Sequence, residues 1–151
     1  ALVVYDSVFG NTEKVAQAVA QALGSEAVKV SSVTPEALAD VKLLVVGSPT
    51  RAFRATPATM TWIKALPANA LSDVRVAAFD TRISAEETGP AFLKLMVKLF
   101  GYAAKPILGA LRKKGGQPAA ADEGFIVMGT EGPLKDGELE RAAAWAARLT
   151  G

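Results

Sequence analysis

The chain of 151 residues contains no cysteine. That excludes disulfides, iron–sulfur ligation and a thiol nucleophile. It contains no histidine either, which removes the usual general base near neutral pH and the commonest zinc ligand. A reaction at neutral pH must then use carboxylates, lysine, tyrosine or a bound cofactor. A net charge of only +2 gives no strong pull toward nucleic acid or an anionic membrane. The apolar runs fall well short of the roughly 20 residues that span a bilayer. No basic run and long apolar stretch open the chain, because residues 2–5 read at once as a strand. These absences lead to the expectation of a cytoplasmic protein with no membrane insertion, no nucleic-acid partner and no metal site. Half of the residues are apolar, which at this length fits a single domain over residues 1–151.

What is present alternates in period. A continuous apolar run at 2–5 and mainly apolar runs at 27–30, 42–47 and 73–80 read as strands of a parallel sheet buried on both faces. A fifth strand is expected within 117–128. Between them lie stretches of helical spacing. Val15, Val19 and Leu23 share a face that Gly24 ends. Thr34-Pro35 and Thr56-Pro57 are cap-plus-proline signatures, opening a short helix over 35–39 and a longer one through Met60, Ile63 and Leu66. Trp62 on that second helix is assigned to the core. A helical region follows from about Pro90 through Phe92, Leu95, Met96 and Leu99, breaks near Gly101 and resumes to Lys114. Asp136 is expected to cap a last helix with Leu139, Ala142, Ala143, Ala146 and Leu149 inward. Alternation of this kind predicts an α/β domain, a three-layer sandwich with a five-stranded parallel sheet of order 2-1-3-4-5. Ligands of such sheets bind at the carboxyl ends of the strands, where the order reverses between strands 1 and 3.

The loop after strand 1 reads Asp6-Ser7-Val8-Phe9-Gly10-Asn11-Thr12-Glu13 and runs directly into a helix. It brings free backbone N–H groups, a positive helix end and the hydroxyls of Ser7 and Thr12 to the ligand edge, which suits a phosphate. A plain strand-to-helix turn would use the same residue types, so the longer pattern has to decide. Tyr-Asp-Ser-(apolar)-(aromatic)-Gly-Asn-Thr-Glu-Lys, followed by Gly-Ser-Pro-Thr at 47–50, resembles the flavodoxin family, especially the flavodoxin domains of flavodiiron-type proteins. The resemblance extends over essentially the whole chain in element order and loop placement. It implies a flavodoxin-like fold and a 5′-phosphate of flavin mononucleotide (FMN) held by Ser7, Asn11 and Thr12, with backbone N–H groups from Val8, Phe9 and Gly10. Phe9 stands where many flavodoxins carry a hydroxyl. Competing signatures are missing: there is no G-x-x-x-x-G-K-[ST] and no G-x-G-x-x-G after strand 1. Gly-Ser-Pro-Thr also occupies the place where a signalling receiver domain needs its phosphate-accepting aspartate.

By the same resemblance the isoalloxazine ring lies between the loops after strands 3 and 4. Pro49 and Thr50 would line the ribityl chain, and Arg51, Ala52 and Phe53 would reach the ring. Phe53 has two open roles, stacking on the flavin or folding into the core. After strand 4, Asp80, Thr81 and Arg82 would form the second flavin loop, with no aromatic to cover the ring and Ile83 or Arg82 as substitutes. Arg51, Arg54 and Arg82 are expected to cluster at the flavin edge, either as solvated surface charges or as partners of an anionic flavin or an acidic protein. The sequence pI near 9 departs from the acidic flavodoxins. The implied function is FMN-dependent electron transfer between a reductase and an acceptor protein, with no catalytic residue of the chain's own. Two alternatives stand beside it: an FMN-dependent oxidoreductase of the quinone or porphyrinogen reductase type, and a flavin-free binding module on the same fold.

Overall fold

The computed structural model describes residues 1–52, 54–83, 91, 94–95 and 101–150. The chain opens with β1 (Leu2–Tyr5), α1 (Asn11–Ala22) and β2 (Ala27–Lys29), and two short 3-10 turns follow at Val30–Ser32 and Pro35–Leu38. Next come β3 (Leu43–Pro49), α2 (Pro57–Ala65) and β4 (Arg75–Arg82). The remaining elements are α3 (Ala104–Lys113), β5 (Gln117–Pro118), β6 (Glu123–Ile126) and α4 (Glu138–Leu149). The sheet is parallel, in the order β2-β1-β3-β4-β5, with β6 also on β4. This is the expected α/β topology.

Strand burial explains the unbroken apolar runs. Val4, Leu44, Val46, Val76 and Ala78 pack on one face with Ile63 of α2 and Ile107 and Leu111 of α3. Val3, Val45, Ala77 and Phe79 pack on the other with Val15 and Val19 of α1 and Trp145 and Leu149 of α4. Successive strand residues alternate between two buried layers, so both faces are apolar along the middle of the strands. Trp62 is half-buried against the first cluster, as assigned.

Several boundaries differ from the sequence reading. β4 runs to Arg82, so Asp80, Thr81 and Arg82 belong to a strand rather than a loop. They stay in register with Ser48 and Pro49 of β3 and with β6, and that pairing on both sides holds the backbone extended. The expected fifth strand is two short pieces separated by residues 119–122, where the Ala119 N–H still donates to the Val76 carbonyl of β4 (2.7 Å) and Ala119 and Ala120 pack half-buried against the core. The short helix at 35–39 is a 3-10 turn. The last helix begins after Gly137, at φ 87°, not at an Asp136 cap. Its inner face is rotated from the expected one: Trp145 is buried and Leu139 is 39% exposed, because the large indole takes the place under the sheet. The helical region expected from Pro90 lies outside the described residues, apart from Ala91, Lys94 and Leu95, which are helical.

Candidate functional site

At the carboxyl ends of β1, β3 and β4 the structure has a cleft of about 290 Å³, open to solvent and lined from three loops. Val8, Phe9, Asn11 and Thr12 form one wall; Pro49, Thr50, Arg51 and Ala52 form the second; Thr81, Arg82 and Ile83 form the third. Val127 and Thr130 close the bottom. A larger groove of about 680 Å³ lies between α2 and the 3-10 turn at Pro35–Leu38. Among the described residues no charged one lines it.

The loop expected to hold a phosphate is shaped by Ser7 and Gly10. Gly10 precedes α1 at φ 93°, a left-handed conformation that side chains disfavour, and so turns the chain into the helix. The Ser7 hydroxyl oxygen accepts hydrogen bonds from the backbone N–H of Gly10 (3.1 Å) and Glu13 (3.4 Å). Its own proton remains available to a ligand. Among the described residues no acceptor faces the backbone N–H groups of Val8, Phe9, Asn11 and Thr12. These orphan donors sit at the positive end of α1. Beside them the Thr12 and Thr81 hydroxyls share one buried hydrogen bond of 2.7 Å, which leaves one of the two protons free to donate. A tetrahedral anion fits this donor set, and no cation is needed.

The loops are tied to one another by bonds that the sequence did not reveal. Asp6 accepts from the Ser7 N–H (2.9 Å) with one carboxylate oxygen and from the Thr56 hydroxyl (2.6 Å) with the other. Thr56 also shares a hydrogen bond with Thr59, and its N–H donates to the Ser48 hydroxyl. Thr56 therefore links the loop after β1 to the loop after β3, and its side chain does not cap α2. The Asn11 carboxamide donates to the Glu131 carbonyl at 3.0 Å, tying α1 to the segment after β6. That bond uses one of the two amide protons, so Asn11 offers the cleft its backbone N–H and the second amide proton. The Tyr5 phenol is pushed above its ordinary value by burial and by the neighbouring Glu13 carboxylate, so it stays neutral beneath α1.

The ring end differs more from expectation. Ala52 sits at φ 48° in a tight turn closed by reciprocal bonds between the Arg51 and Arg54 backbones. Arg51 lies over the Phe9 ring, its guanidinium carbon 5.8 Å from the ring centre, and so bridges the tips of two walls. Phe9 and Val8 are 45% and 48% exposed, and Ile83 is 36% exposed. Arg51 and Arg54 are exposed, whereas Arg82 is bound to Asp80 by a bidentate ion pair of 2.6 and 2.7 Å. The three arginines therefore do not form one cationic cluster. Asp80 is fully buried and does not line the cleft. Burial pushes its carboxyl above the ordinary value, against the lowering effect of Arg82. Of the residues expected at the site, the cleft gathers all but Ser7, Gly10 and Asp80, while Phe53 lies outside the described residues. Val127 and Thr130 were missed: they follow the strand whose boundaries were least legible, and no motif marks them.

A doubly wound sheet with unpaired N–H donors in the loop after its first strand defines a class of α/β proteins whose ligands bind at the strand ends. The match to the flavodoxin domain family over residues 2–106 identifies the member: this chain belongs to the flavodoxin family. No curated relative matches the sequence. Among solved structures it is similar to oxidised flavodoxin 1 from Bacillus cereus, at 16% identity and a TM-score of 0.73, covering 99% of this chain and 95% of that one. A short-chain flavodoxin associated with a non-canonical PDU bacterial microcompartment gives 17% identity and 0.73, covering 99% and 95%. Rubredoxin oxygen:oxidoreductase from Desulfovibrio gigas gives 18% identity and 0.70; the match covers 98% of this chain but 34% of that longer one. At these identities the structural likeness speaks for the fold.

Proposed function

We propose that residues 1–151 act as one FMN-binding domain that carries electrons between a reductase and an acceptor protein in the cytoplasm. The observation that carries this reading is the set of unpaired N–H groups at the start of α1, beside the Thr12–Thr81 hydroxyl pair. Ser7, Val8, Phe9, Gly10, Asn11 and Thr12 would hold the phosphate, Pro49 and Thr50 the ribityl chain, and Arg51, Ala52, Thr81, Arg82 and Ile83 the ring. FMN supplies the redox chemistry when bound, while the protein binds it, orients it and sets its electrostatic surroundings. Ala52 and Ile83 are smaller covers than an aromatic ring, so one face of the cleft is open to an electron acceptor.

Titration of the apoprotein with FMN and with riboflavin, followed by quenching of flavin fluorescence, tests the reading. Two charge-assisted hydrogen bonds to the phosphate, worth together about 3 kcal/mol, make FMN the tighter ligand by roughly a hundredfold. Equal affinities refute the assignment of the phosphate loop. Turnover of a quinone with NAD(P)H at catalytic protein concentration would move the function from carrier to reductase.

A further inference from the structure

Asp80 and Arg82 stand two apart on β4 and so project from the same side of the strand. The Asp80 carboxylate has no solvent exposure. One oxygen accepts from Nε of Arg82 at 2.6 Å; the other accepts from Nη2 at 2.7 Å and from the backbone N–H of Ala104, the first residue of α3, at 2.8 Å. The guanidinium is held flat. Its central carbon lies 3.7 Å from the centre of the Tyr102 ring. Gly124 of β6 also lies against it, where a β-carbon would fall 2.1 Å from both Cζ and Nε of Arg82. Four residues from three parts of the chain thus fix the Arg82 cation in one place, at 18% exposure, in the wall that also carries Ile83.

We propose that Asp80 is a positioning residue that keeps the Arg82 charge paired at the ring wall of the cleft, so that the bound flavin faces a neutral pair instead of a free cation. The inference rests on the FMN reading of this cleft. An unpaired guanidinium there would favour the negatively charged reduced ring over the neutral oxidised ring. Pairing removes that bias and leaves Arg51, on the opposite loop, as the exposed cation that lines the cleft. Gly124 is then required for charge placement as well as packing, because any side chain would lift the guanidinium off its carboxylate.

The test measures dissociation constants of oxidised FMN and of FMN reduced by dithionite under argon, for the wild type and for Asp80→Asn, Arg82→Gln and Gly124→Ala. Asp80→Asn is expected to raise the ratio of oxidised to reduced constants about tenfold, equivalent to about +30 mV for a two-electron couple. Gly124→Ala, which dislodges the cation with both charges kept, shifts the ratio in the same direction. Arg82→Gln leaves it within about twofold, because the buried carboxyl left behind takes up a proton. An unchanged ratio in Asp80→Asn, or a tenfold fall in Arg82→Gln, overturns the proposal. The pair itself is read without any flavin: urea midpoints of Asp80→Asn, Arg82→Gln and the double variant are expected to be non-additive, and additive midpoints refute the pairing. A wild type that binds no FMN sinks the cofactor reading while the urea cycle still reports on the pair.

Discussion

Replacing Gly47 by alanine tests how the core sets the position of the loop after β3. A β-carbon at Gly47 would lie 2.1 Å from Cζ of Phe79 and 2.4 and 2.5 Å from its two Cε atoms. Carbon atoms rest at about 3.5–4.0 Å, so the ring would have to retreat by roughly 1.5 Å. It has nowhere to go: the Phe125 and Trp145 rings stand edge-on to it, with centres 6.0 and 6.1 Å away. Overpacking of a filled core costs about 1–3 kcal/mol, and a ring wedged between two others belongs at the upper end. We expect Gly47→Ala to lose about 3 kcal/mol, a fall in Tm of roughly 6–12 °C for a chain of this size. Urea denaturation followed by tryptophan fluorescence measures it. Phe79→Leu alone should cost about 1–2 kcal/mol, less than full truncation of the ring. It also vacates the space that the new methyl needs, so Gly47→Ala in that background should be nearly neutral. The double-mutant cycle then yields a coupling of about 2 kcal/mol or more. Additive losses, or a single variant within about 0.5 kcal/mol of wild type, would refute the steric argument.

Gly10→Val should weaken FMN binding tenfold or more, with a folding loss of only about 1–2 kcal/mol from the left-handed backbone. No protein atom lies within 4 Å of the added β-carbon, so the cost beyond strain falls on the ligand; paired titrations of FMN and of urea would separate the two, and unchanged FMN affinity would place the phosphate elsewhere. Ala52→Gly should stabilise the protein by about 0.5 kcal/mol, the relief of a left-handed alanine less the entropy of glycine, as seen in the thermal midpoint. Glu138 governs part of the acid limb of stability. Burial raises its carboxyl pKa, but bonds from Arg141 and the Ile126 N–H more than offset this and hold it below the ordinary 4.5. Its contribution is therefore present above pH 4.5 and is lost as pH falls further; Glu138→Gln should flatten the loss of stability below that pH, and an identical acid limb would contradict the assignment.

The strand runs and the loops after β1 and β3 were legible because each depends on local chemistry. Leu43 to Gly47 has to be buried on both faces, and Ser7-x-x-Gly10 closes its own turn with a hydrogen bond only three residues apart. Arg82 was misjudged for the opposite reason. Whether an arginine is free or paired depends on which carboxylate the sheet buries next to it, and on Tyr102 and Gly124, which lie far along the chain. The Asp6–Thr56 bond joins residues fifty apart and carries no periodic signal. The division of the last strand was hidden because alanines at 119 and 120 satisfy helix, strand and core equally well.

That division leaves the sheet margin with a seam. β5 and β6 each hold to β4 independently, and between them Ala121 is exposed and outside any ladder. Chain added at Ala121 would lengthen a surface excursion without displacing a sheet hydrogen bond, and each doubling of such a loop costs only about 0.6 kcal/mol. The position is therefore a grafting point. A reporter peptide or a second redox module tethered there would start at the outer margin of the sheet, with the cleft left as it is.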